Sequence, residues 1–593
     1  MQLFMFKPIR TLGFRGGISM LKGILLILIF ALCTVRFASA QAYTDVLVTT
    51  AKTMIDGDVS LVVLDVRNQT EYDAGHIRNA KLIPLYELQG RLGELNKTDD
   101  ILVYCKAGGR STQASQILVS NGFLHVYNVL GGFDAWSEIG YPYYVKYSSI
   151  QEAIDSASEG DSILVSSGLY YEHVLINKSV CIIGENKYET VIDGSGNGTV
   201  LQVQADNVSI SDFTIQFSGC SCSRFCGVYV EPSHQNVNIT DNNMVSNGYG
   251  VMLDWTRGAF IARNNITQST TALVTDNSSN VSIQENLITL NNGGIDLSDS
   301  NNVSISENTI HFNVYGLYLA GSSNNSIVGN LFDSNQILGI WYGGQSSNNT
   351  IFHNNFDSNL SDTSTLDSTN SWDNGYPSGG NYWSDYVDVD LYSGSHQNQT
   401  GSDGIWDHLY SRTGVVDHYP LKGPFSTFRL GTWNGTVHNV DVVSDSTIRS
   451  FGFNSSADPK TLSFEVEETN STGGFLQVAL PKDVLWCDNT EQWIVTVDGE
   501  PIQQRNIIED DWNTYIYVSY NQSTRTVQIQ STHAVPELPP CLALPLSMTT
   551  TLLALLLNRR RTTKQSKAVS SLRAFYTRRI HRIGRARVVV EAL

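Results

Sequence analysis

Positive charge is scarce in this chain except at its two ends. Of 593 residues, 57 are acidic and 38 basic, a net charge of −19. Residues 1–40 hold five basic groups and no acid, and residues 559–593 hold eleven against one, so the body between them carries −34. A body this acidic repels nucleic acid and anionic membrane surfaces. Cysteine is scarce too: eight over the whole length exclude a dense disulfide framework. Cys33 and Cys541 lie in apolar ends, and Cys105, Cys181 and Cys487 stand alone. Only Cys220, Cys222 and Cys226 cluster, in GCSCSRFCG, a candidate for one disulfide. With no histidine inside the cluster and no second cluster, zinc is disfavoured.

Long apolar runs are confined to the termini. ILLILIFALC at 24–33 follows Lys7, Arg10, Arg15 and Lys22, and ASA ends at Ala40. This is the charged, apolar and small-residue order of a secretory signal over 1–40, with a retained anchor helix as the alternative. Near the other end, 536–557 is an expected transmembrane anchor, since about 20 apolar residues cross a bilayer. The basic stretch 558–593 behind it favours an inside C-terminus. Eighteen N-x-S/T sequons agree with an exported, glycosylated ectodomain. The expected placement is therefore a single-pass cell-membrane protein with a large extracellular N-terminal part.

What the chain does have is a period. Asn242, Asn264, Asn286, Asn308 and Asn330 are 22 apart, and Asn354 follows after 24. Three residues before each stands an isoleucine, from Ile239 to Ile351, and two after each stands Met244, Ile266, Ile288, Ile310, Phe332 or Phe356. Twenty-two residues are too few for two packed helices, and Asn and Gly are poor helix interiors. NVSISENTI alternates as a strand, with Val303, Ile305 and Ile310 inward around a turn at Asn308. Several short strands per repeat, stacked on one another, predict a parallel β-helix over 147–360. Stacked asparagines would hydrogen-bond along its axis. A leucine-rich repeat would want a leucine framework that is absent. SIQEAIDSA (149–157) predicts a short amphipathic helix capping the first coil. The section resembles right-handed β-helix proteins grouped with pectin lyases, and more closely the periplasmic copper-binding accessory proteins and archaeal surface proteins with such repeats. Its carboxylates fall out of phase with the repeat and no His/Met/Cys set recurs, so neither polysaccharide cleavage nor copper binding is expected of it.

Residues 361–425 read as a C-terminal cap of the solenoid, with Trp372, Tyr376, Tyr382 and Trp383 closing the last coil or offering a sugar platform. Asp388, Asp390, Asp403 and Asp407 are candidates for a structural calcium, at a spacing that matches no standard loop. Segments such as TLSFEVEE, QWIVTVDG and TYIYVSY predict a β-sandwich over 426–533.

Residues 41–146 differ. LVVLDV (61–66) and ILVYC (101–105) are buried parallel strands, and 111–122 is a helix, so the class is α/β. Cys105 ends a strand, where ligands gather in open α/β sheets. Lys106, Ala107, Gly108, Gly109 and Arg110 then turn into the helix at Ser111. Glycine frees backbone amides to converge on an anion, and amides with a helix N-terminus lower a thiol pKa. A buried strand-end thiol is the bland alternative. The domain resembles a single-domain rhodanese, a sulfurtransferase. The loop C-x-x-G-x-R is Cys105 to Arg110, and D-x-R-x-x-x-E-Y-x-x-G-H-I is Asp65, Arg67, Glu71, Tyr72, Gly75, His76 and Ile77. Gly131, Gly132 and Trp136 close the pattern. Related phosphatases carry a loop one residue longer, so the resemblance implies sulfur rather than phosphate.

It further implies a two-step transfer through a Cys105 persulfide, from thiosulfate or a persulfide donor to a thiol acceptor, with no cofactor required. Arg110 and Lys106 assist with charge, Asp65, Arg67 and Glu71 support the loop, and His76 packs. The expected whole is a multidomain chain: rhodanese-like α/β domain, right-handed parallel β-helix, β-sandwich and transmembrane helix. The alternative reading is a surface protein whose β-helix binds a cell-surface glycan beside an inactive or sensory rhodanese domain.

Overall fold

A computed structural model describes residues 43–534, apart from 220–223, 360, 365–368, 413, 434, 458, 468–472, 503–504 and 522–523. The expected signal and anchor lie outside the described residues. Two compact units form: residues 43–389 with 405–421, and residues 390–404 with 422–534.

The first unit opens with a five-stranded parallel sheet in the order β1 (Thr44–Val46), β5 (His125–Val129), β4 (Asp100–Tyr104), β2 (Val62–Asp65), β3 (Lys81–Leu82). Between the strands run α1 (Val48–Gly57), α2 (Gln69–Asp73), α3 (Leu85–Arg91) and α4 (Gly109–Ser120), and α5 (Gly132–Glu138) follows β5. Both faces of β4 are buried. Ile101, Val103 and Cys105 pack with Ala114 and Leu118 on one side, and Leu102 and Tyr104 with Ala51 and Trp136 on the other. This is why 101–105 reads as a continuous apolar run. α4 begins two residues before the expected Ser111, because Gly108 in a left-handed conformation (φ 99°) already turns the chain.

Residues 150–389 with 405–421 form the parallel β-helix and its end. After α6 (Ile150–Ser156), three parallel sheets of ten, nine and nine strands run along the solenoid. One coil is Ser304–Ser306, Thr309–His311 and Tyr315–Ala320, each strand in register with its counterparts one repeat away. Val303, Ile305, Ile310, Leu317 and Leu319 point inward and are buried. The asparagine ladder forms: Asn264 Oδ1 accepts the Asn242 amide at 3.0 Å, and Asn264 Nδ2 donates to the Ile239 carbonyl at 2.8 Å and to Asn286 Oδ1 at 3.0 Å. The ladder ends where the Asn381 amide donates to Asp417 Oδ2 at 2.8 Å. A second ladder through Ser269, Asn291, Asn313, Asn335 and Asn359, and a hydroxyl ladder through Thr256, Ser278, Ser300, Ser322 and Ser346, hold the other corners. Phe332, Phe356, Trp383 and Tyr410 stack nearly parallel at 5.1, 4.4 and 4.2 Å toward the end, with Trp372 buried beside Trp383.

The cysteine domain and the first coil share one short segment. His76 and Tyr144 exchange two amide hydrogen bonds of 2.9 Å, the Lys146 amide donates to the Asp73 carbonyl at 3.0 Å, and Val145 pairs in parallel with Val165 of the first coil. Residues 144–146 are therefore an added strand on both sides.

In the second unit, two antiparallel five-stranded sheets share one core. Val440, Leu476 and Ile516 come from one sheet, and Leu462, Phe464, Val527 and Ile529 from the other. Residues 390–404, expected in the solenoid cap, belong here: buried Asp390 holds Lys422 at 3.0 Å, and Asn506 Nδ2 reaches the Ser402 carbonyl at 3.2 Å. Among the described residues no helix is long and apolar enough to cross a membrane.

Candidate active site around Cys105

Cys105 follows β4 directly and is 1% exposed. Its Sγ accepts the Gly108 amide at 3.1 Å. Burial works against the thiolate, but the Ser111 hydroxyl and the amides of Ser111, Gly108 and Ala107 more than offset it, so the thiol titrates below its ordinary value. The loop is held from below by α5. The Phe133 amide donates to the Cys105 carbonyl at 2.8 Å and the Asp134 amide to the Lys106 carbonyl at 2.9 Å. This needs Gly132, because a Cβ there would overlap the Cys105 carbonyl, and its φ of 57° disfavours any side chain. The Gly108 carbonyl accepts the Ser111 and Thr112 hydroxyls at 3.0 and 2.9 Å. Lys106, Ala107 and Gly109 are exposed.

Arg110 does not point at the sulfur. It forms a bidentate pair with Glu71, at 2.7 and 2.6 Å. The Arg110 guanidinium is the main reason that the Glu71 carboxyl is held down to about 2. Glu71 is also part of a capping box with Asn68 at the start of α2. Asp65 and Arg67 are buried and grip each other, with contacts of 2.6–3.0 Å. Arg67 also donates to the Gly75 carbonyl at 2.6 Å and lies 4.3 Å from the Phe133 ring centroid. His76, fully buried, stacks on Tyr72 at 3.7 Å and meets Glu185 at 3.0 Å. Glu185 and Phe133 were not singled out in the sequence. Glu185 stands 109 positions away in another fold, so no local spacing marks it.

The other candidates stand apart from Cys105. Cys226 is a free, buried thiol that donates to the Arg224 carbonyl at 3.1 Å, so the expected disulfide does not include it. Burial pushes its thiol up to about 12. Cys220 and Cys222 lie outside the described residues. Asp390 accepts Lys422 and the amides of Asp403 and Gly404, and Asp403 accepts Gln397 Nε2 at 3.3 Å. Asp388 pairs with His408 at 2.7 Å, and the Asp407 amide donates to the Val389 carbonyl at 2.9 Å. Among the described residues no three or more His, Cys, Asp or Glu side chains group to hold a metal.

Comparison with known proteins places these geometries. Residues 47–139 match the rhodanese-like domain, and residues 154–387 match the periplasmic copper-binding protein (NosD). Thiosulfate sulfurtransferase GlpE of Coxiella burnetii is 40% identical over 76 residues, which are 13% of this chain and 71% of that protein. YqhL of Bacillus subtilis is 39% identical over 74 residues, 12% of this chain and 59% of YqhL, so the chain spans little more than half of that relative. A crystal structure of a rhodanese-related protein from Thermoplasma volcanium is 33% identical, covering 17% of this chain and 97% of that one, with a TM-score of 0.16. Through residues 47–139 the chain belongs to the rhodanese family, fused to a NosD-like parallel β-helix. It carries that family's sulfurtransferase-type domain with its buried cysteine.

Proposed function

We propose that the protein transfers sulfane sulfur through Cys105, from thiosulfate or a persulfide donor to a thiol. The observation that carries this is the Gly108 amide donating to Sγ at 3.1 Å at the head of α4, with the amides of Ala107 and Ser111 and the Ser111 hydroxyl also favouring the thiolate. The Cys105 thiolate attacks the outer sulfur of thiosulfate. A sulfur–sulfur bond forms, and the bond to the sulfonate breaks, its electron pair leaving with sulfite. Cys105 then holds a persulfide anion inside the same amides, which stabilise charge at either sulfur. An acceptor thiolate, or cyanide in the assay, attacks the outer sulfur and the Cys105 thiolate returns. Lys106, exposed beside the loop, draws the anionic donor in. Arg110 acts through the loop, since Glu71 occupies it.

The setting we propose is outside the cytoplasm and tethered to the cell membrane, supported by the apolar ends, the sequons and the periplasmic family of the β-helix. The test is thiosulfate:cyanide turnover, with mass spectrometry of the Cys105 persulfide, on the wild type and on Cys105→Ser. Turnover and a persulfide lost in the variant are expected; neither appearing in the wild type sinks the reading.

A second reading concerns the β-helix. Tyr315, Tyr318 and Trp341 stand on adjacent coils with ring centroids 5.0–6.3 Å apart, and Trp341 is 43% exposed. Tyr315 lies over Gly293 and Tyr318 over Gly343, so both rings lie along the sheet. Aromatic faces of this kind favour a cell-surface sugar. Glycan binding that survives Cys105→Ser and is lost in Trp341→Ala supports it; binding unchanged in Trp341→Ala refutes it.

A further inference from the structure

Glu185 is a buried carboxylate that the transfer chemistry leaves unused. It follows the strand Cys181–Gly184 that opens the second β-helix coil, its amide donating to the Val165 carbonyl of the first, and it is 4% exposed. Its partners nevertheless lie largely in the cysteine domain. Oε1 accepts the Asn79 amide at 2.9 Å, both oxygens lie 3.0 Å from His76 Nε2, and Oε2 accepts the Ser167 amide at 3.1 Å. The other His76 nitrogen, Nδ1, lies 2.9 Å from the Tyr72 carbonyl, which can only accept. His76 therefore bridges the Tyr72 carbonyl of the cysteine domain and the Glu185 carboxylate of the β-helix. The Tyr72 ring is stacked on His76 with 8° between planes, and its hydroxyl donates to the Ala80 carbonyl at 2.8 Å.

This clamp lies one residue from Glu71, the carboxylate that holds the active-site loop. Tyr72 is held by His76, and its neighbour Glu71 holds Arg110 of the active-site loop. Both sit on α2, a helix of only five residues. A helix this short keeps its place through its contacts rather than through its own hydrogen bonds. On one side it is fixed by Glu185 through His76, with Tyr144 and Lys146 beside it. On the other it fixes Arg110, next to Ser111, whose hydroxyl donates to the carbonyl of Gly108, the residue whose amide donates to Sγ.

We propose that Glu185 is a positioning residue of the Cys105 site, so that the β-helix sets the alignment of the sulfur-transfer loop through His76, Tyr72, Glu71 and Arg110. The inference rests on the sulfur-transfer reading, and one of its readouts does not depend on turnover. Without the Glu185 carboxylate, His76 Nε2 and the Asn79 amide lose their partner and α2 is released. Arg110 then follows Glu71, and the donors around Sγ spread.

The experiment uses the full chain as wild type, Glu185→Ala, Glu185→Gln and Glu172→Ala. Glu172 is a carboxylate of the neighbouring first coil; it accepts the Ile150 and Gln151 amides at the start of α6. Two quantities are read: the pH profile of Cys105 alkylation by iodoacetamide, followed on its own peptide by mass spectrometry, and kcat and KM for thiosulfate:cyanide turnover. In Glu185→Ala the alkylation midpoint moves to higher pH, and kcat/KM falls by about threefold to tenfold. Glu185→Gln, which presents an amide where two acceptors stood, falls between, and Glu172→Ala matches the wild type. Glu185→Ala with the wild-type profile and kcat/KM overturns the proposal. So does Glu172→Ala shifting both as far, since the effect would then be a general one of β-helix stability. Should Glu185→Ala fail to fold, Glu185→Gln decides alone, a wild-type profile again overturning the proposal. A wild type with no turnover and no persulfide ends the sulfurtransferase reading, while the alkylation profiles still decide the role of Glu185.

Discussion

At the scale of single residues, the chemistry rests on how one sulfur is surrounded. Cys105 is buried, which favours the neutral thiol, yet its donors favour the thiolate and win. Ser111 lowers the thiol pKa through both its hydroxyl and its amide. Ser111→Ala removes the hydroxyl and leaves the amide. The expected outcome is an alkylation midpoint about half a unit to one unit higher, which near neutral pH is a threefold to tenfold slower reaction. The sign follows from the depressed thiol: reactivity rises with pH through the midpoint and then levels, so a higher midpoint costs rate only below it. Alkylation rates from pH 5 to 9 read this directly, and superimposable profiles would contradict it. Cys105, its loop and the Glu71–Arg110 pair were legible in the sequence because they follow a compact spacing. The role of Arg110 was not: a cation beside a thiolate reads as an anion ligand, and only folding brings the α2 carboxylate within 2.7 Å of it.

At the scale of elements, the β-helix is held by periodic polar bonds as much as by its aliphatic interior. Asn286 illustrates this. Its oxygen serves the backbone and side chain of Asn264, and its nitrogen serves the Ile261 carbonyl and Asn308. Asn286→Ala strands the buried Asn264 amide and the Ile261 carbonyl, each costing about 1–3 kcal/mol. Chemical denaturation of the variant is expected to show a loss of about 2–6 kcal/mol on those grounds. The end of the ladder behaves differently. Asp417 is fully buried, and although the Asn381 amide, the Trp383 indole and the Tyr419 amide donate to it, burial pushes its carboxyl up to about 7. Because the folded value lies above the unfolded one, this group adds stability that is full below about pH 4. That stability is lost as the pH rises through about 7, amounting to about 2–4 kcal/mol. Asp417→Asn is expected to flatten that part of the pH dependence. An unchanged slope between pH 4 and 7 in melting experiments would refute it. The first asparagine ladder was readable as a 22-residue period. The second, which carries asparagine at the same period from Asn291 through Asn313 and Asn335 to Asn359, was equally legible but was not picked out; only Ser269 interrupts it after Asn247.

At the scale of the whole molecule, the cysteine domain and the solenoid are joined by more than a covalent linker. Residues 144–146 pair on one side with His76 and Asp73 and on the other with the first coil, and Glu185 closes the same seam. Backbone engaged on both sides resists opening. Proteolytic nicking between residues 140 and 149 is therefore expected to be slow in the wild type and several-fold faster in Glu185→Ala. Equal rates would mean that the seam does not depend on the carboxylate. A sulfur site held this way has a fixed orientation relative to the solenoid, and its acceptor must come to it.

The sequence by itself determined the order of folds, the loop that makes a thiolate cradle and the repeat that makes a solenoid. Each of these is written in short-range spacing: six residues for the loop, twenty-two for a coil, alternating apolar positions for a strand. What only the tertiary structure decided is which partners close the site. Arg110 went to Glu71 instead of the substrate, His76 to Glu185 of another domain, Lys422 to Asp390, and Cys226 to a buried free state. Buried polar groups must find complements wherever the fold brings them. Those complements lie tens to more than a hundred positions away, where no local pattern connects them.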